Sequence, residues 1–400
     1  MNTVDGTTLV EMSLQPLLRL LIVELLLYLQ FTCSLKHVVS RTNNLLLRRP
    51  LSAVSTSNTV GAANLDWPNL GFEYRQTTCF VKCEYKDGKW GDLMIERDPM
   101  IKIHIGATAL HYGQACFEGL KAFHTKNGKF CIFRPDENAN RLARSSNRIC
   151  MPPLPEELFL DAMKTVVREN LAFVPPYGTG GAMYIRPILY GSGPRIGLQP
   201  ASEYTFVAMA LPVADYYKGG LKPVPAIVVD NYDRAAPRGV GASKVAGNYA
   251  ADLLPNMAAK KKGFPIALYL DAKTNSFVEE FSTSNFLAIS KGSGAYVTPQ
   301  SEAILASITN KSLMTLAADE GMGVEVRHVH IDEVMAGKFS EIAACGTAVV
   351  VTPVDRIVYK DQVATISTGE VGVSIRKLYQ RVRAIQNGEE ADKFGWMMEI

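Results

Sequence analysis

Two short segments constrain the architecture of this chain more than any other feature. Lys86-Asp87-Gly88-Lys89 separates the apolar run Phe80 to Tyr85 from the run Trp90 to Ile95. His124-Thr125-Lys126-Asn127-Gly128-Lys129 separates Leu120 to Phe123 from Phe130 to Phe133. Turn residues that accept positive φ, set between short β-prone runs, predict tight hairpins. Strands are also expected at Ala182 to Leu189, Tyr204 to Leu211, Ala226 to Val229 and Ile266 to Leu270. Further ones fall at Ser276 to Val278, Asn285 to Ile289, Val324 to His328, Glu341 to Ala344 and Ala348 to Thr352. Helices are expected from Glu137 to Ile149, Pro155 to Leu171, Ala250 to Lys261, Ile308 to Ala317 and Gly369 to Gln386. Short strands with segregated helices favour two α+β units over a regular βαβ array. The loop Val213 to Gly220 is the expected boundary. It gives a first segment of 1–62, a small domain of 63–212, a linker of 213–221 and a large domain of 222–400.

Composition narrows the function. At 400 residues, two to three domains fit, and 42 basic against 39 acidic residues leave a net charge of only +3. That balance argues against nucleic acid or an anionic membrane surface as the main partner. Seven scattered cysteines suggest reduced thiols, and neither they nor the six histidines show metal-ligand spacing, so no metal is expected. The first sixty residues differ from the rest. Leu17 to Phe31 is leucine-rich but interrupted by Arg19 and Glu24, and the following stretch is rich in Arg, Ser, Thr and Asn without acids. A transit peptide, an unstructured or misassigned start and a membrane anchor all compete there. Stable membrane insertion is not expected. Localisation is expected to be organellar, chloroplast or mitochondrion, if the segment is a transit peptide, and cytoplasmic otherwise.

The sharpest local feature is Gly239-Val240-Gly241-Ala242-Ser243-Lys244-Val245-Ala246-Gly247-Asn248-Tyr249. One lysine sits among glycine and small residues, which leave room for a flat ligand against the backbone. A partly buried lysine has a lowered pKa, and its free amine can form a Schiff base. A glycine loop for phosphate and a surface lysine beside a turn remain alternatives, although no Walker or GxGxxG spacing is present.

Six segments in order carry a wider resemblance. They are Tyr112-Gly113-Gln114-Ala115-Cys116-Phe117-Glu118-Gly119-Leu120-Lys121-Ala122, Phe133-Arg134-Pro135 with Asn140-Arg141-Leu142, Tyr184-Ile185-Arg186-Pro187, the lysine segment, Val278-Glu279-Glu280 with Ser284-Asn285-Phe286, and Cys345-Gly346-Thr347-Ala348. From about Trp67 onward the chain resembles the branched-chain aminotransferases, pyridoxal-phosphate enzymes of fold type IV. The resemblance implies a two-domain α+β/α/β fold, like that of D-amino-acid aminotransferase, with pyridoxal 5'-phosphate in the interdomain cleft. It implies a homodimer, and amino transfer between L-leucine, L-isoleucine or L-valine and 2-oxoglutarate, giving L-glutamate.

The same resemblance assigns roles. Lys244 matches the Schiff-base lysine. Glu280 matches the carboxylate under the pyridine nitrogen; strand alternation points Glu279 the other way, and the spacing to Asn285 favours Glu280. Tyr249 matches the phenol at the cofactor's ring oxygen. Arg141, the helix start at Ile308 and Thr309, and Thr347 match the phosphate site, where free helix amides suit a dianion. Arg234 matches an arginine near the cofactor. Tyr112, Phe117, Tyr184 and Arg186 match the substrate pocket, with Thr347 and Ala348 presenting amides to the substrate carboxylate. From local sequence alone, the aromatics could equally be core and Arg141 a surface residue. The chain departs from the pattern in reading Ala306-Ser307 where Pro-Gly is usual, and Asn310 where a cation is usual. It also lacks the CxxC that animal relatives carry after Ala348. Other fold-type IV enzymes (D-amino-acid aminotransferase, aminodeoxychorismate-lyase-like) and an inactive scaffold protein remain the rival readings.

Overall fold

The computed structural model describes residues 59–214 and 221–400. All but the last four residues of the expected presequence, and most of the expected linker, lie outside these residues.

Both hairpins form for the predicted reason. Asp87 and Gly88 have φ of 51° and 80°, and Gly128 has φ of 76°. The Phe80–Lys86 strand pairs with Lys89–Trp90 and then, one register step on, with Met94–Glu96. The single strand expected from Trp90 to Ile95 is therefore broken by a bulge at 91–93. The first sheet has nine strands among the described residues. Its path runs Met397–Glu399, Phe130–Phe133, Leu120–His124, Ala182–Gly191, Tyr204–Val213, Phe80–Lys86 and Lys89–Trp90, with Ala115–Phe117 against Ala182–Gly191. Every pairing in it is antiparallel, and the last strand of the chain returns to it.

The second sheet closes on itself. Val278–Phe281, Ile266–Leu270, Val224–Val229, Val350–Tyr359, Phe339–Gly346 and Ser284–Ser290 pair in that order, and Ser284–Ser290 pairs again with Val278–Phe281. Closure leaves those six strands without a free edge. Phe281, Phe286, Leu268, Ala226 and Ile357 fill a core on one side. A second core joins the two sheets: Phe123 and Phe133 from the first pack with Leu287, Tyr296 and the helices Ile308–Asp319 and Val373–Gln386.

Helices place the chemistry. Pro135–Arg148 starts with proline and has Asp136 and Glu137 in its first turn, which favours an N-terminus there. Its buried stripe is unusual, holding Asn138, Arg141, Ser145 and Ser146 beside Leu142. Ala246–Lys261 begins four residues earlier than its sequence pattern suggested, two residues past Lys244. No helix among the described residues is long and apolar enough to cross a membrane.

Candidate active site

Lys244 is fixed through its main chain. Its N–H donates to the Ser145 hydroxyl at 2.9 Å. Its carbonyl accepts from the Phe117 N–H at 3.1 Å, and Val245 bridges to Cys116. The side-chain amine donates to the Tyr249 oxygen at 2.8 Å. It lies 4.7 Å from the centre of the Phe117 ring and 5.0 Å from that of Tyr249. Burial, then the nearby Arg141 cation, lowers the lysine pKa to about 8. Burial pushes the Tyr249 phenol up to about 12, so it stays protonated. Glu280, Arg141, Arg234 and Glu118 all lie within electrostatic reach of this phenol.

Arg141 is buried rather than on the helix surface. Its Nε and Nη2 donate to the two Glu118 oxygens at 2.8 and 2.7 Å, and its Nη1 donates to the Ala306 carbonyl at 3.0 Å. This sets the guanidinium beside the start of Ile308–Asp319. The Ser307 hydroxyl caps that helix by accepting from the Asn310 N–H at 3.2 Å. The cap uses the third amide, leaving those of the buried Ile308 and Thr309 without intrahelical partners. The Ser307 departure thus supplies a cap that glycine could not. The Asn310 side chain turns inward, accepting from the Tyr296 hydroxyl and donating to Thr298.

Glu280 and Glu279 are both buried and have different partners. Glu280 accepts from the Leu305 N–H and Asn285 Nδ2, each at 2.9 Å, and pairs with Arg234 at 2.7 Å. Burial raises its pKa to about 7 against the pull of Arg234. Glu279 accepts from the Ser301 hydroxyl at 2.6 Å. Arg234 also donates to the carbonyls of Gly241 and Ala303, which ties the lysine loop to the Glu280 side.

Tyr184 and Arg186 share one face of Ala182–Gly191, and Arg186 Nη2 donates to the Tyr184 hydroxyl at 2.8 Å. The Arg186 guanidinium lies 5.0 Å from the Phe117 ring centre, and its Nε is buried with no partner in the protein. Thr347 and Ala348 follow the strand Phe339–Gly346, and the Ala348 carbonyl accepts from the buried Lys121 at 2.6 Å. Tyr112 stands apart from this group. It is 44% exposed, and its hydroxyl donates to the Ile196 carbonyl. A cavity of about 420 Å³ between Phe80, Ile103, Ile188 and Met209 lies elsewhere on the first sheet.

Sequence reasoning passed over Glu118, Ser145 and Lys121 as individual residues. A signal existed for Glu118, a lone acid inside the run Ala115 to Leu120. Ser145 gave none, because small residues on a helix are common.

The Amino-transferase class IV family matches residues 115–357. A branched-chain-amino-acid aminotransferase of Haemophilus influenzae is 44% identical over 344 residues, spanning 84% of this chain and 99% of the relative. The chain belongs to the class IV aminotransferases. A Humulus lupulus relative, branched-chain amino acid aminotransferase 2, chloroplastic, is 39% identical over 86% of this chain and 84% of its own length. Among solved structures, the branched-chain aminotransferase of the archaeon Thermoproteus uzoniensis with norvaline superposes with a TM-score of 0.65 at 25% identity. The alignment covers 80% of this chain and 99% of that one. The fold-type IV expectation therefore holds for this aminotransferase, and all but one of the six motifs fall wholly inside the matched region. The exception is the first, which begins at Tyr112, just outside it.

Proposed function

We propose that this chain is a pyridoxal-phosphate-dependent branched-chain aminotransferase, moving the amino group of L-leucine, L-isoleucine or L-valine to 2-oxoglutarate. The observation that carries the reading is the Lys244 amine. It is lowered to about 8, held by Tyr249, and within electrostatic reach of both Arg141 and the buried Glu280. These residues fit the cofactor. A neutral amine can bond its aldehyde carbon, a buried carboxylate suits its ring nitrogen, and Arg141 with the Ile308 and Thr309 amides suits its phosphate. When bound, pyridoxal phosphate supplies a ring that draws in the electron pair released as the substrate's Cα–H bond breaks. The protein does the rest. Lys244 would move the proton between the substrate's Cα and the cofactor's aldehyde carbon. Glu280 keeps the ring nitrogen protonated, and Arg234 and Asn285 hold that carboxylate in place. Tyr249 bonds the ring oxygen, Thr347 joins the phosphate site, and the Thr347 and Ala348 amides meet the substrate carboxylate.

Arg186 is the residue for the second substrate. Glutamate brings a distal carboxylate that an apolar pocket would reject. The unpartnered Arg186 Nε, between Phe117 and Tyr184, supports a role in receiving it. A homodimer fits the surface. Arg195 N–H donates to the Gly106 carbonyl and Tyr112 to Ile196, bringing the exposed Ile105 and Ile196 together beside Tyr112. The domain division at 213–221 and an organellar address for the first segment belong to the same proposal.

Following the cofactor spectrum with each amino acid alone tests this reading. L-Leucine and L-glutamate should each convert the bound cofactor, and D-alanine should not. Arg186→Met should slow the glutamate half-reaction about ten- to hundredfold, the worth of a charged hydrogen bond, and leucine far less. Conversion by D-alanine but not by leucine would favour the D-amino-acid reading. Equal losses for leucine and glutamate would make Arg186 structural.

A further inference from the structure

Glu118 is a buried carboxylate in this site to which the proposed reaction gives no task. It accepts from Arg141 Nε and Nη2, from Asn138 Nδ2 at 2.7 Å and from the Gly119 N–H at 3.3 Å. A bidentate pair fixes both the position and the plane of a guanidinium. With Nη1 on the Ala306 carbonyl, three of the five arginine N–H groups are committed. The two that remain, one on each terminal nitrogen, sit beside the start of Ile308–Asp319. Glu118 also follows Phe117, whose N–H holds the Lys244 carbonyl. On the opposite side, Ser145 holds the Lys244 N–H one helical turn from Arg141. The dipeptide Phe117-Glu118 and the helix Pro135–Arg148 thus each hold both the arginine and the lysine.

A carboxylate next to an anion site repels the anion. Were charge its only contribution, losing Glu118 would strengthen phosphate binding. The bidentate geometry points to aim instead. We propose that Glu118 is a positioning residue, turning Arg141 toward the cofactor's phosphate and keeping that anchor in register with Lys244. The proposal rests on the reading of Arg141 as a phosphate ligand.

The test compares the cofactor-free full chain binding pyridoxal phosphate with the same chain binding pyridoxal, which lacks the phosphate. The ratio of the two affinities isolates the phosphate's contribution. Glu118→Gln should lower this ratio about tenfold or more, since it sets an amide against the Arg141 donors. Glu118→Asp keeps the charge but shortens the reach, and it should lower the ratio too. It also serves if the glutamine variant fails to fold. In an Arg141→Ala background, Glu118→Gln should lower the ratio no further, because the residue acts through that arginine. A ratio that rises or stays unchanged in both Glu118 variants would overturn the proposal, as would equal losses for both ligands. A wild-type ratio near one would instead overturn the phosphate reading of Arg141 itself.

Discussion

Lys244 must present a free amine to react, and its surroundings provide one. Burial lowers its pKa from 10.5 to about 8, and Arg141 adds to the effect. Below about pH 8 the folded protein carries a buried cation that the unfolded chain would hold in water, a cost relieved as pH rises from about 8 toward 10.5. Reaction of the cofactor-free protein with pyridoxal should therefore quicken with pH and level off just above 8. A rate still climbing toward pH 10.5 would mean a solvated lysine. The adjacent glutamates offer a second check at this scale. Glu280→Gln removes the charge that Arg234, Asn285 and the Leu305 N–H hold in place. A charge-assisted bond is worth about 1.5–3 kcal/mol, so kcat should fall about tenfold or more while cofactor still binds. Glu279→Gln, facing Ser301, should matter much less. The reverse order in steady-state kinetics would put the strand register off by one residue.

At the scale of elements, Pro135–Arg148 and Ile308–Asp319 do most to shape the site. The first carries Arg141 and Ser145 one turn apart on its buried face, and the second offers its opening amides beside that arginine. Ser307→Ala removes the cap from the second helix. That should cost about 1 kcal/mol of stability in denaturant unfolding, together with weaker pyridoxal-phosphate binding. Unchanged unfolding would mean that the cap is dispensable. Both helices were legible in the sequence, the first from the spacing of Ala139, Leu142 and Ala143 and the second from the apolar run Ile308 to Ala317, because such spacing is a local signal. So were the hairpins at Asp87-Gly88 and Asn127-Gly128. The Tyr296–Pro299, Gln362–Thr365 and Met397–Glu399 strands were not: each is short, and the last pairs with the distant Phe130–Phe133. The Glu118–Arg141 pair was hidden for a similar reason. The two residues sit on different elements, and a buried ion pair leaves no periodic trace.

Across the whole molecule, the closed six-strand sheet and the core shared by both sheets hold these elements at fixed distances. That closure joins strands as far apart as Val224–Val229 and Val350–Tyr359, a pairing no local pattern announces. Its consequence is that Lys244 bonds Tyr249 while Glu280 and Arg141, from two other stretches of chain, come within electrostatic reach of that phenol. One measurement addresses the chemistry of that site directly. Purified full-length protein loaded with pyridoxal phosphate is reduced with borohydride, digested, and its modified peptide identified by mass spectrometry. The cofactor should be found on Lys244, and the Lys244→Ala variant should carry no adduct and no transaminase activity. An adduct on Lys260, Lys261 or Lys262 in the wild type, or undiminished activity in Lys244→Ala, would contradict the account.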